Sequence, residues 1–150
     1  MTSESSGVHY IFAAGTGILP FLDLFDFLLE KMLDSNVNKF SLFEKGFKLH
    51  VFASFAQIKD FVGFDICEKL VQVCLVKGLS NAFTLEIKAP DVKANEFYQV
   101  TDSDFDSVFI EKNVNNECEK VYICGPPQFN STINTAVESL GLSDEKIILV

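Results

Sequence analysis

The spacing of hydrophobic and polar positions changes several times along this chain, and each change marks an element. Val8-His9-Tyr10-Ile11-Phe12-Ala13 is β-branched and aromatic, the composition of a buried strand. It meets a small-residue turn, Ala13-Ala14-Gly15-Thr16-Gly17. Beyond it Phe21, Phe25, Leu28, Leu29 and Met32 recur at helical spacing, with Asp23, Asp26 and Glu30 largely on the other side. The polar group Asp34-Ser35-Asn36 ends that helix, Ser41–Gly46 is a connection, and Phe47–Ser54 alternates as a second strand. Phe55–Phe64 reads as a loop with a helical turn. Asp65 stands three residues before Glu68, a capping-box spacing, and opens a helix that stops at Gly78. Ala82–Lys88 is a third alternating strand. Asp91–Thr101 reads as a surface excursion, Asp104–Lys112 as a short helix and Val114–Glu119 as a turn. Lys120–Cys124 is a fourth strand, broken by Gly125-Pro126-Pro127. Phe129–Gly141 then has helical spacing, and Lys146–Val150 is a last, near-continuous apolar strand.

Strands that alternate with helices predict an α/β fold: three layers, doubly wound, with about five parallel strands and helices on both faces. Ligands of such sheets bind at the carboxyl ends of the strands, near the switch in strand order. Both glycine turns, 14–17 and 125–127, directly follow strands and so are expected at one crevice. The first has the chemistry of a phosphate site, because glycines let backbone N–H groups approach an anion and a helix start adds unpaired donors. Pro20 suits that first turn, where its missing N–H costs nothing.

Composition narrows the classes. The chain has 150 residues, 48% of them hydrophobic, enough for one domain with its own core. Residues 1–7 read as a polar lead-in and 8–150 as the domain. Gly17–Leu29, the longest apolar stretch, is interrupted by Asp23 and Asp26, so no membrane span and no membrane contact is expected; no secretory signal is recognised either. Cys67, Cys74, Cys118 and Cys124 form no Cys-x-x-Cys pair, which indicates neither a zinc ribbon nor a dithiol redox site, and no metal is expected. Asn130-Ser131-Thr132 matches a glycosylation sequon without meaning in a chain that is not secreted. The net charge of −9 comes from 21 acidic residues against 12 basic ones, all lysine. That balance carries no nucleic-acid footprint; its plain reading is solubility, and a protein partner, if there is one, is expected to be basic.

Gly15-Thr16-Gly17-Ile18-Leu19-Pro20 is neither the Gly-x-Gly-x-x-Gly fingerprint nor a P-loop. Combined with Cys124-Gly125-Pro126-Pro127, it resembles the pyridine-nucleotide domain of the ferredoxin–NADP reductase superfamily, which includes ferric reductases, NAD(P)H oxidases and flavin-dependent cytochrome reductases. The resemblance covers residues 8–150 and implies a Rossmann-like sheet. It implies that Gly15, Thr16 and Gly17 lie against the pyrophosphate and nicotinamide ribose, and that Pro20 starts the helix beneath them. Ala53 and Ser54 are then expected at the adenosine ribose. Cys124 is expected beside the nicotinamide as the catalytic-site residue, with Gly125, Pro126 and Pro127 shaping the wall. The implied function is to position NAD(P)H for hydride transfer to FAD on a flavin-binding domain outside these residues. The chain then reads as the C-terminal domain of a longer flavoprotein, not active alone, and cytoplasmic or on the cytosolic face of a membrane.

The sequence departs from that family in places. Ala14 stands where the family's turn has its first glycine, Phe129 follows Gln128 where a methionine is common, and the chain ends Ile147-Ile148-Leu149-Val150 without an aromatic residue. Two other readings therefore stay open: a degenerate nucleotide-binding domain acting as an interaction or regulatory module, and a non-redox α/β domain for another phosphorylated ligand. With no arginine to fork around a 2′-phosphate, and Phe55-Ala56-Gln57 after the second strand, NAD(H) is favoured over NADP(H), Lys59 being the one contact that could serve the latter.

Overall fold

The computed structural model describes residues 7–34 and 46–150. The lead-in, the turn at Asp34–Asn36 and the connection at Ser41–Gly46 lie outside them except for Gly7, Asp34 and Gly46. Six parallel strands form one sheet: β1 (Val8–Ala14), β2 (Lys48–Ser54), β3 (Phe83–Lys88), β4 (Gln99–Val100), β5 (Lys120–Cys124) and β6 (Ile147–Leu149), in the order β4-β3-β2-β1-β5-β6. The order runs outward from β1 to β4 and then returns to the other side of β1. The strand-order switch therefore falls between β1 and β5, whose register places Ala13 beside Cys124.

Alternation along β1 divides the core in two. Ile11 and Ala13 point to one face, where they meet Leu49, Val51, Leu85 and Ile87 under α1 (Leu22–Leu33) and α2 (Phe64–Val76). Phe12 and Tyr10 point to the other face, with Phe52, Val121 and Ile123 under α3 (Ser107–Asn113) and α4 (Pro127–Ser139). Rings carry much of this second layer: Phe12 stacks on Phe52 at 4.8 Å between centroids, and Phe105 meets both edge-on. Each such buried side chain is worth about 1.5–3 kcal/mol of transfer free energy. Over β2 and β3 the second face carries half-buried polar groups instead, with His50 Nδ1 2.5 Å from Thr84 Oγ1 and Glu86 beside them.

Two expectations change. A sixth strand, β4, lies within the segment read as a surface excursion; two residues are too short to show alternation. The capping box at Asp65 is not made. Gly63 takes φ +87°, so the helix starts at Phe64, Cys67 N–H donates to the Gly63 carbonyl, and no side chain caps the end. The last strand is a half-exposed edge. Asp106 does cap α3, accepting from Phe109 N–H at 3.0 Å. α4 opens two residues before Phe129, with Pro127 in its first turn.

Candidate nucleotide site

At Ala14 the backbone is still extended. Gly15 then takes φ +56° and redirects the chain into a 3₁₀ turn, Gly15–Phe21, that leads into α1. A side chain at Gly15 would meet nothing within 4 Å, so this glycine is required by its left-handed backbone and faces open space. Thr16 is exposed beside it, and Pro20 lies exposed within the same 3₁₀ turn.

Gly17 serves a different contact. A methyl group there would lie 2.0 Å from the Cys124 carbonyl oxygen, 2.6 Å from its carbon and 3.0 Å from Gly125 N. The first turn thus rests directly on the Cys124–Gly125 peptide, and only a hydrogen fits between them. Gly125 is covered in its turn. A methyl group on it would come 2.6 Å from Phe129 Cδ1 and 3.1 Å from the Ala14 methyl. Phe129 also meets Phe105 edge-on, so its ring is anchored in the second core layer.

A cleft of about 940 Å³ opens at the carboxyl ends of β1 to β4. Of the residues singled out in the sequence, Gly15, Thr16, Ser54, Phe55, Ala56 and Lys59 line it. Ala53 does not: it is fully buried between Ala13 and Ile87 and presents no side chain to the cleft. Ala14, Gly17, Pro20, Cys124, Gly125, Pro126 and Pro127 also lie outside its lining, and the first turn is what joins the two regions. The cleft adds Asp60 after β2, Lys88 to Pro90 after β3, and Thr101 and Asp102 after β4. The β4 group went unseen in the sequence because β4 itself did. Its volume is in the upper range for small-molecule sites.

Cys124 ends β5 and is partly exposed. Burial pushes its thiol above the ordinary range, so it is protonated at neutral pH and is not a thiolate nucleophile. Cys67, Cys74 and Cys118 are buried free thiols, with Cys74 pushed up to about 11 by burial. Asn130 sits in the first turns of α4 with its side-chain oxygen buried. Among the described residues no group of three or more His, Cys, Asp or Glu is placed to hold a metal, and no helix is long and apolar enough to cross a membrane.

No protein-family model and no curated protein matches the sequence. Solved structures do. The cytochrome b5 reductase domain of Ulva prolifera nitrate reductase superposes with a TM-score of 0.66 at 14% identity, over 98% of this chain and 51% of that one. This chain has the fold of the NAD-binding domain of ferredoxin–NADP reductase-like proteins. A ferredoxin NADP+ reductase from Neisseria gonorrhoeae, solved with FAD and NADP, gives 0.65 at 13% identity over 98% of this chain and 56% of its own. Flavohemoglobin from Malassezia yamatoensis, solved with FAD and heme, gives 0.64 at 16% identity over 100% of this chain and 34% of its own. The chain thus spans roughly a third to a half of these reductase-like structures. In the NAD-binding fold the crevice at the strand-order switch is the ligand site, and here both glycine turns lie at that switch.

Proposed function

We propose that this chain is the NAD(P)H-binding domain of a flavin-dependent oxidoreductase, with FAD on a separate flavin-binding domain of the same protein. The observation that carries this reading is the seating of the Gly15–Gly17 turn on the Cys124–Gly125 peptide at the strand-order switch, beside an open cleft. When bound, the nicotinamide supplies a hydride and the flavin accepts it.

The chain's own residues bind and orient. Gly15 and Thr16 present backbone and a hydroxyl to the pyrophosphate, aided by the start of the helical segment. Ser54 offers a hydroxyl to the adenosine ribose. Cys124 packs beside the nicotinamide as a neutral thiol, and Pro126 and Pro127 form a wall without N–H donors. Gly17, Gly125 and Ala14 act by packing, which holds the two turns together, while Ala53 packs within the sheet and Pro20 leads the first turn into the helix. NAD(H) is favoured over NADP(H), because no arginine is available to hold a 2′-phosphate in a planar fork. An acidic domain fits a basic electron-transfer partner, and four free cysteines fit a reducing, cytoplasmic setting.

The test is a calorimetric titration of the chain with NADH, NADPH and ADP-ribose. Saturable NADH binding that falls by about tenfold or more in Thr16→Phe, which fills the cleft from an exposed position, supports the reading. Absence of binding of all three at millimolar concentration overturns it. One observation favours a second reading, a nucleotide-binding fold kept as an interaction module: the Phe129 ring and the Ala14 methyl occupy the space against Gly125. On that reading Phe129→Met changes partner binding and leaves dinucleotide affinity at zero.

A further inference from the structure

The cleft carries its charge unevenly. Near β1 its wall is Gly15 and Thr16, both uncharged; at the far end Lys59 and Asp60 follow β2, Lys88 closes β3 and Asp102 follows β4. Two side-chain links tie these strand exits together. Asp91 accepts from Ile58 N–H at 2.9 Å, joining the segments after β3 and β2, and the Lys88 ammonium pairs with the Asp104 carboxylate beyond β4. An anion arriving at this end meets Lys88 already compensated by Asp104, in a cleft whose lining also carries Asp60 and Asp102. Lys59 is the only other lysine among the described residues that line the cleft.

Resting on the reading above, in which the β2 exit holds the adenosine half, we infer that Asp104, acting through Lys88, is a specificity-determining residue: it makes the far end of the cleft accept a ribose with free hydroxyls and reject a 2′-phosphate. A neutral diol donates hydrogen bonds to carboxylates such as Asp102 at no electrostatic cost. A phosphate dianion at the same place is repelled by those carboxylates and must displace Asp104 before it gains Lys88. Discrimination therefore comes from an added repulsion rather than from a better contact to the preferred ligand. The alternative role, a tether between two surface loops, is a weak one. Lys88 is 32% and Asp104 79% exposed, and a pair so solvated adds little stability.

The test measures affinities for NADH, NADPH and ADP-ribose by calorimetry with the whole chain as wild type, Asp104→Asn, Asp104→Glu and the double variant Asp104→Asn/Lys88→Met, with circular dichroism on each. The wild type is expected to bind NADH about tenfold or more tighter than NADPH, and Asp104→Asn to shrink that ratio by about tenfold. The gain should fade at about 0.5 M salt, as an effect of local charge does and one of altered loop packing does not. Asp104→Glu should keep the wild-type ratio, and Lys88→Met should cancel the gain. A wild type that prefers NADPH, a ratio unmoved by Asp104→Asn, or a gain that survives Lys88→Met overturns the inference. If NADH binds and the ratio does not move, only this inference falls; if none of the three ligands binds, the proposed function falls with it.

Discussion

Gly17→Ala gives the most direct test of how the two turns are joined. The added methyl would sit 2.0 Å from the Cys124 carbonyl oxygen, with two further backbone atoms at 2.6 and 3.0 Å. An ordinary C···O approach is about 3.3 Å or more, so the turns must part by roughly 1 Å. The obstructing atoms belong to a peptide at the end of β5, where Cys124 is paired with β1, not to the far end of a side chain. Overpacking a well-fitted interior costs about 1–3 kcal/mol, and backbone that cannot rotate away places this site at or above the top of that range. Alanine's lower unfolded-state entropy returns only about 0.4–1 kcal/mol. The net expectation is a destabilisation of about 2–3 kcal/mol, which is a fall in Tm of about 4–12 °C for a domain of this size. Gly15→Ala is the internal control. It meets nothing within 4 Å and carries only the cost of a left-handed backbone, about 1–2 kcal/mol. Urea unfolding of both variants decides the matter. If Gly17→Ala lies within about 0.5 kcal/mol of wild type, or is milder than Gly15→Ala, the turn-on-turn contact is not what requires the glycine.

Gly125→Ala meets a ring that can tilt, so it should cost less than Gly17→Ala, and its cost should shrink in a Phe129→Ala background; additive free energies in that double-mutant cycle would show that Phe129 is not the obstacle. Cys124 should be the first of the four thiols to react with iodoacetamide, since the other three are buried, and its rate should rise steeply only above the ordinary thiol range; rapid labelling at pH 7, followed by mass spectrometry, would contradict a burial-raised thiol. Burial raises the Glu86 carboxyl, so between its unfolded and folded values the folded state holds the extra proton and stability falls as pH rises. Glu86→Gln should therefore be more stable than wild type at pH 7, with the gap closing below the ordinary glutamate range; a gap independent of pH in urea titrations would refute this. His50 has the opposite sign. Burial and then Lys48 lower its imidazole, so the stability it contributes at neutral pH is lost on acidification through the ordinary histidine range, and His50→Gln should flatten that limb of the profile.

Elements with long, clean periodicity were legible in the sequence. β1, α1 and β5 stand close to where their patterns place them, because each presents a continuous apolar set to the core. β4 was not, since two edge residues carry no period and their pairing with Glu86 and Ile87 is decided by the sheet already present. The start of α2 was misplaced because a left-handed Gly63 accommodates the Leu22 side chain, a tertiary contact that outweighs the local capping signal of Asp65. At the site, the sequence identified the glycines as a turn but not what each one touches. Gly15 faces the cleft, whereas Gly17 and Gly125 answer to Cys124, Phe129 and Ala14, partners set by the crossing of β1 and β5. Ala53 and Ser54 are adjacent in sequence, yet the pleat sends one into the core and leaves the other at the cleft.

The central place of β1 also gives the chain a timetable. Its β2 edge is met by residues 48–54, but its other edge waits for residues 120–124. At ribosomal rates of about 5–20 residues per second, that second edge stays open for roughly 4–14 s after the first has been met. Through this interval Ile11 and Phe12 lie on an unpaired parallel edge, the kind of template on which strands of other chains add. A nascent chain of this design needs shielding during that window, and one truncated before Lys120 keeps the liability permanently. The wall on which Gly17 rests is synthesised about a hundred residues after Gly17 itself, so a ligand that must engage both turns finds its site only once β5 has joined β1.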